Sequence, residues 1–95
     1  MNNVLSLYKT YYELQKEIAR KIQIIRKRKK ISQKRMSVIS DVPYASIRRF
    51  ENTGEISFSS FVKITQALGL GDLLESVYEP PKYTSIEEVL KDKRS

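Results

Sequence analysis

Apolar residues in this chain recur at steps of three and four, and that spacing largely decides its secondary structure. Val4, Leu7, Tyr11, Leu14, Ile18, Ile22 and Ile25 follow the step without a break, and Phe58, Phe61, Ile64 and Leu68 repeat it later. Residues so spaced line one side of an α-helix, whereas a half-buried strand alternates every second residue. No segment alternates convincingly, so an all-α fold is expected. Leu5, Tyr8 and Tyr12 widen the first stripe near its start. The only breakers are Gly54, Gly69 and Gly71 and Pro43, Pro80 and Pro81, and they cut the chain into short pieces.

The first helix is expected over residues 4–30, ending in the cations Arg26 to Lys30, which suit the negative end of a helix dipole. A second should start at the N-cap Ser32 and run to about Ser40, with Met36 and Ile39 inward. Asp41, which tolerates a left-handed turn, ends it. Pro43 fits the first turn of a third helix, which turns Ile47 and Phe50 inward and stops near Asn52-Thr53-Gly54. A fourth runs from Ser57 or Ser59 to Leu68, and a fifth from Asp72 to Val77. Pro80-Pro81 make a stiff joint, and Ser85-Ile86-Glu87-Glu88 has the spacing of a capping box that opens a last short helix. The expected core is Ile22, Ile25, Met36, Ile39, Val42, Ile47, Phe50, Phe61, Ile64 and Leu68.

Composition narrows the function. The 95 residues suffice for one domain. With no cysteine and no histidine, there is no thiolate or imidazole for a metal or a nucleophile. No paired carboxylates or phosphate-cradling glycine loop stand out either, so neither an enzyme nor a cofactor or metal site is expected. No apolar run reaches the roughly 18–20 residues of a membrane span. Met1-Asn2-Asn3-Val4-Leu5 lacks a basic leader region, so a cytoplasmic protein is expected. The net charge is +7, unevenly spread: residues 1–49 hold 13 Lys and Arg against three acids, and residues 50–95 hold five against eight. Such a basic half points to a polyanion, with nucleic acid first and an anionic membrane surface as the rival.

The informative stretch is residues 18–74. Ile31-Ser32-Gln33, Met36-Ser37, Val42-Pro43, Ile47, Phe50-Glu51 and Gly54 keep the order and spacing of two short helices around a tight turn. This pattern resembles the phage-repressor and Cro-like (XRE) helix-turn-helix family. Phe61 and Ala67-Leu68-Gly69 extend the resemblance into the fourth helix. The run Arg48-Arg49-Phe50-Glu51, with Thr53 to Ser57, resembles the HipB-type antitoxins that accompany HipA-like kinases. The chain departs from the family at Asp41 for the usual Gly, Pro43 for the usual Ser or Thr cap, and Ser37 for the usual Ala. These departures leave open the start of the recognition helix and the bases it reads. The resemblance implies a five-helix repressor-like domain over residues 18–77; the stretches outside it are read as a helical extension over 1–17 and a short helical tail over 78–95. It also implies a structural ion pair between Arg26 and Glu51.

In such a fold the third helix enters the major groove and the second crosses the backbone. Tyr44, Ala45, Ser46, Arg48 and Arg49 are then the candidates for base contact. Arg49 can fork onto guanine, and Ala45 or Tyr44 can pack on a thymine methyl. Gln33, Lys34, Pro43 and Asn52 are the candidates for phosphate contact, with Ser46 as a further one. Arg48 and Arg49 as ordinary solvated charges, and Tyr44 packed on its own helix, are the alternatives. The run 26–30 is read first as a solvated helix end that attracts DNA at long range.

Leu7, Tyr8 and Tyr11 in the extension and Leu73, Leu74 and Val77 in the fifth helix are candidates for a dimer or partner contact; the extension folding onto its own domain is the other reading. The expected function is a homodimeric repressor on a palindromic operator of its own operon, in the setting of a HipA-like toxin–antitoxin module. The competing readings are a protein-interaction module that inhibits a partner toxin or kinase without reading DNA, and a membrane-surface domain.

Overall fold

The computed structural model describes residues 9–81, and these contain five α-helices and no strand. They are α1 (Tyr11–Arg28), α2 (Gln33–Ser40), α3 (Tyr44–Thr53), α4 (Phe58–Ala67) and α5 (Gly71–Val77). The expected helix after Ser85, and the contacts assigned to Leu7 and Tyr8, lie outside the described residues.

Local signals fix the ends of each helix. α1 starts later than the apolar stripe suggested, because Thr10 and Glu13 form a capping box. The Glu13 N–H donates to Thr10 Oγ1 at 3.1 Å, and the Thr10 N–H donates to Glu13 Oε1 at 3.0 Å. It then runs unbroken, as the stripe suggested, and ends at Arg28 rather than Lys30. Ser32 caps α2, accepting from the Arg35 N–H, and Asp41 closes it in the left-handed conformation at φ 59°. Pro43 stands one place outside α3, at its N-cap, and supplies no side-chain cap. Ser57 caps α4, accepting from the Ser60 N–H.

The core comprises Ala19, Ile22, Met36, Val42, Ile47, Phe50, Ile64 and Leu68. Ile25, Phe61 and Leu70 pack against it from partly buried positions. Phe50 of α3 meets Phe61 of α4 edge to face, with ring centres 6.1 Å apart. α1 packs on α3, α2 packs on both α3 and α4, and α5 packs on α4.

One expected core residue, Ile39, and one residue of the fourth helix's apolar stripe, Phe58, are not buried. Ile39 is 40% exposed, because α2 turns Met36 and Ser40 inward instead. Ser40 satisfies its hydroxyl within the helix by donating to the Met36 carbonyl at 2.6 Å. Phe58 is 78% exposed at the first position of α4, and Phe61, Ile64, Thr65 and Leu68 take the inner positions. The inner side of α1 also differs from its most apolar stripe. Tyr11, Leu14 and Ile18 are exposed, while Ala19, Ile22 and Arg26 are buried. On that inner side Gly54 lies close against the Gln15 backbone.

Candidate nucleic-acid interface

α3 has one buried and one exposed side. Ile47 and Phe50 anchor it in the core. Tyr44, Ala45, Arg48, Arg49 and Asn52 are exposed, and Ser46 is half-buried. Four of the five base candidates therefore lie on the accessible side, next to Pro43 and Asn52 from the phosphate set. α2 starts beside them. Lys34 Nζ lies 5.9 Å from the centre of the Tyr44 ring, and Arg48 Cζ lies 5.7 Å from it. Cations at that range are attracted by the ring face, so Tyr44 draws Lys34 and Arg48 into one basic cluster spanning both helices. Tyr44 thus packs on its own helix while remaining 38% exposed.

The turn between α2 and α3 is held from inside. The Ser37 hydroxyl donates to the Val42 carbonyl at 2.6 Å, which no alanine at that place would do. Val42 itself is buried. The uncapped start of α3 leaves the positive end of its dipole next to the basic cluster.

Beneath this surface lies the pair Arg26–Glu51, with Arg26 Nε 2.7 Å from Glu51 Oε2 and only 7% and 3% of the two side chains exposed. Arg26 Nη2 donates to Glu51 Oε1 at 2.9 Å, completing a bidentate fork. Its Nη1 donates to the Ile31 carbonyl at 2.6 Å, and the Ile31 N–H donates to the Arg26 carbonyl, so one residue closes the α1–α2 turn from both sides. Glu51 Oε1 also accepts from Gln23 Nε2 at 3.0 Å and from Gln33 Nε2 at 2.9 Å. One carboxylate on α3 is thereby joined to α1, to the α1–α2 turn and to the start of α2. Gln33, named for phosphate contact, has its amide nitrogen committed to this network. Its backbone at the head of α2 stays a candidate for that contact.

Burial pushes the Glu51 carboxyl upward, but the donors Arg26, Gln33 and Gln23 and the charge of Arg26 outweigh it. The group is held below its ordinary value of 4.5. Its contribution to stability is therefore complete above that value and is lost as pH falls through the lower folded value. Urea unfolding midpoints are expected to fall between about pH 5 and pH 3, and the Glu51→Gln variant to show less of this decline. Glu13 and Glu17 are also held low, by Thr10 and Arg20, and contribute to the decline in both proteins. An identical decline in wild type and variant would count against the role of Glu51.

Arg49 is the base candidate with a fixed partner. Its Nε donates to Glu55 Oε2 at 3.1 Å, and its Nη2 makes a very close contact with the same oxygen. Both side chains are largely solvent-exposed. They border an open groove lined by Ser46, Ile56, Ser57 and Ser60. The sequence reading missed Glu55, Gln23 and the Gln15–Gly54 contact. Only Glu55 left a signal, a carboxylate just beyond a glycine that reverses the chain.

Of the dimer or partner candidates, Tyr11 on α1 and Leu73 and Val77 on α5 are exposed, as are Phe58 and Tyr78. Leu74 is half-buried at the α4–α5 groove, which Phe58, Val62 and Tyr78 also line. Among the described residues, no cluster of acids could hold a metal ion, and no helix is long and apolar enough to cross a membrane. Comparison of the chain with models of known protein families, with curated protein sequences and with solved structures finds no match.

Proposed function

We propose that this chain is a sequence-specific DNA-binding transcriptional regulator in which α2 and α3 form a helix-turn-helix and α3 reads the major groove. The observation that carries the proposal is the two-sided build of α3. Its inner side is locked through Ile47, Phe50 and the Glu51 network, and its outer side offers Tyr44, Ala45, Arg48, Arg49 and Asn52 together. Base readout needs such side chains on a rigid element that fits the groove. The excess of Lys and Arg over residues 1–49 supplies the salt-sensitive attraction to phosphate.

The same reading takes the protein as a homodimeric repressor of its own operon. Exposed Leu73 and Val77 on α5, or Tyr11 on α1, supply the contact between copies. Two copies would set their recognition helices about 34 Å apart on a palindromic site. The antitoxin of a HipA-like kinase is the setting that the sequence of α3 and its following turn favours.

The test is fluorescence anisotropy on a duplex from the gene's own upstream region and on a scrambled duplex, across a series of salt concentrations. Binding to the first is expected to be far tighter and to weaken steeply with salt. Equal, weak binding to both would reduce the interaction to bulk charge and leave the partner-binding reading. Replacing Arg48 and Arg49 together by alanine is expected to weaken specific binding by about a hundredfold or more, since each lost base contact of this kind costs roughly tenfold. Thermal stability should be unchanged, because both side chains are exposed. Preserved specific binding in the double variant would remove α3 from the interface.

A further inference from the structure

We infer that Glu55 sets the specificity of this surface by holding the Arg49 guanidinium in one pose, with its free edge available to the two-acceptor edge of a guanine rather than to a phosphate. The inference rests on the DNA-binding reading above and assigns a role to a residue outside the recognition helix.

A hydrogen-bonded ring fixes the position of Glu55. The Thr53 hydroxyl donates to the Arg49 carbonyl at 2.7 Å, and the Glu55 N–H donates to the same hydroxyl oxygen at 3.0 Å. The Glu55 carboxylate then accepts from Arg49, closing the ring. The turn inside it is Gly54, at φ 81° and buried against the Gln15 backbone of α1. Gln15 Nε2 also donates to the Thr53 carbonyl at 3.3 Å. The acid is therefore placed by contacts that reach into the body of the domain. An exposed arginine without such support would sample many rotamers.

The donor count shows what is left for DNA. A guanidinium carries five N–H groups. Glu55 engages the Nε–H and one N–H on Nη2. The two Nη1 hydrogens and the second Nη2 hydrogen remain, and the Nη1–Nη2 pair forms a fork that matches guanine O6 and N7. The charge of Glu55 acts in the same direction. A carboxylate beside the guanidinium repels an approaching phosphate, whereas a guanine edge carries no net charge. Glu55 thus opposes non-specific attraction while favouring one base contact, which is how specificity arises as a difference between affinities.

Selection from a randomised duplex library gives the preferred site, and anisotropy then compares that site, the site with its guanines replaced singly, and a scrambled duplex. In Glu55→Gln, discrimination between the preferred site and the affected guanine replacement should fall about tenfold, the loss of one good base contact. Affinity for the scrambled duplex should rise severalfold, with unchanged melting temperature. Glu55→Asp, which keeps the charge, should keep the low scrambled-duplex affinity. In an Arg49→Ala background, Glu55→Gln should no longer alter discrimination, because the two residues act as a unit. Discrimination within twofold of wild type in Glu55→Gln, or an equal loss in the Arg49→Ala background, would overturn the inference alone. A wild-type protein that prefers no duplex would overturn the DNA reading and this inference with it.

Discussion

Replacing Arg26 by methionine is expected to lower the unfolding free energy by about 3–5 kcal/mol, the usual effect of stranding a buried charge. A small domain has only about 5–15 kcal/mol in total, so the loss will be visible in the urea midpoint at neutral pH. Three donors leave together: the fork onto Glu51 and the bond to the Ile31 carbonyl. Glu51 then keeps only Gln23 and Gln33, while its burial remains. Burial without the neighbouring cation raises the folded value of a carboxyl above its unfolded one. The penalty is therefore complete at neutral pH and is relieved as pH falls toward the unfolded value. The gap between wild type and variant should be narrower at about pH 5 than at pH 7. Arg26→Lys should fall between the two proteins, because a single ammonium cannot reproduce the fork and the turn contact together. The double variant Arg26→Met with Glu51→Leu should recover much of the loss, since no charge is left stranded. A gap that is equal at both pH values, or a loss under about 1 kcal/mol, would mean that the pair is not a desolvated unit.

This network lies on the same helix as the proposed DNA-contacting residues. Glu51 sits at the buried edge of α3, while Arg48, Arg49 and Asn52 occupy the exposed edge of the same helix turns. Weakening the network loosens the helix that displays the candidate DNA-contacting residues, and loosens its register with α2 through Gln33. In Arg26→Lys, discrimination between duplexes should decline before folding is lost.

The elements that were legible in the sequence are those whose cause is local. Ser32 and Ser57 cap helices, Asp41 and Gly54 end them, and the three- and four-residue steps mark helices throughout. Periodicity shows that a stripe exists but not which flank of it turns inward. On α1 the packed flank runs through Ala19, Ile22 and Arg26, beside the more apolar flank of Tyr11, Leu14 and Ile18. The packed flank carries the approach of Gly54 to Gln15, a contact between residues far apart in the chain that periodicity does not reveal. Ile39 is exposed for a related reason, since on a short helix one residue of rotation moves a side chain from core to surface; Phe58 is exposed because it stands at the first position of α4, where its stripe runs past the end of the core. The exposed set on α3 was legible because Ile47 and Phe50 fix that helix's inner side unambiguously. The partners of Arg49 and Gln33 were not, because both lie across turns whose geometry the sequence does not state.

Gly54→Ala tests that long-range contact most directly. Gly54 closes α3 at φ 81°, a conformation that costs an L-residue about 1–2 kcal/mol. A β-carbon there would lie 2.7 Å from the Gln15 backbone carbon and 2.8 Å from its carbonyl oxygen. Backbone on a packed helix cannot rotate away as a side-chain tip can, so α1 or the turn must shift, at a further cost of about 1–3 kcal/mol. A total loss of about 2–5 kcal/mol is expected. Gly69 supplies the control, since it too has a positive φ, 78°, but nothing lies within 4 Å of where its β-carbon would stand. Gly69→Ala should show the conformational cost alone. The difference between the two variants in urea unfolding then measures the α1–α3 approach itself. Equal losses would mean that α1 yields freely at Gln15 and that the close approach contributes nothing to stability. If the difference is as large as expected, a displaced turn in Gly54→Ala also moves Glu55 away from Arg49. In that case the variant should lose discrimination between duplexes even at temperatures where it remains folded.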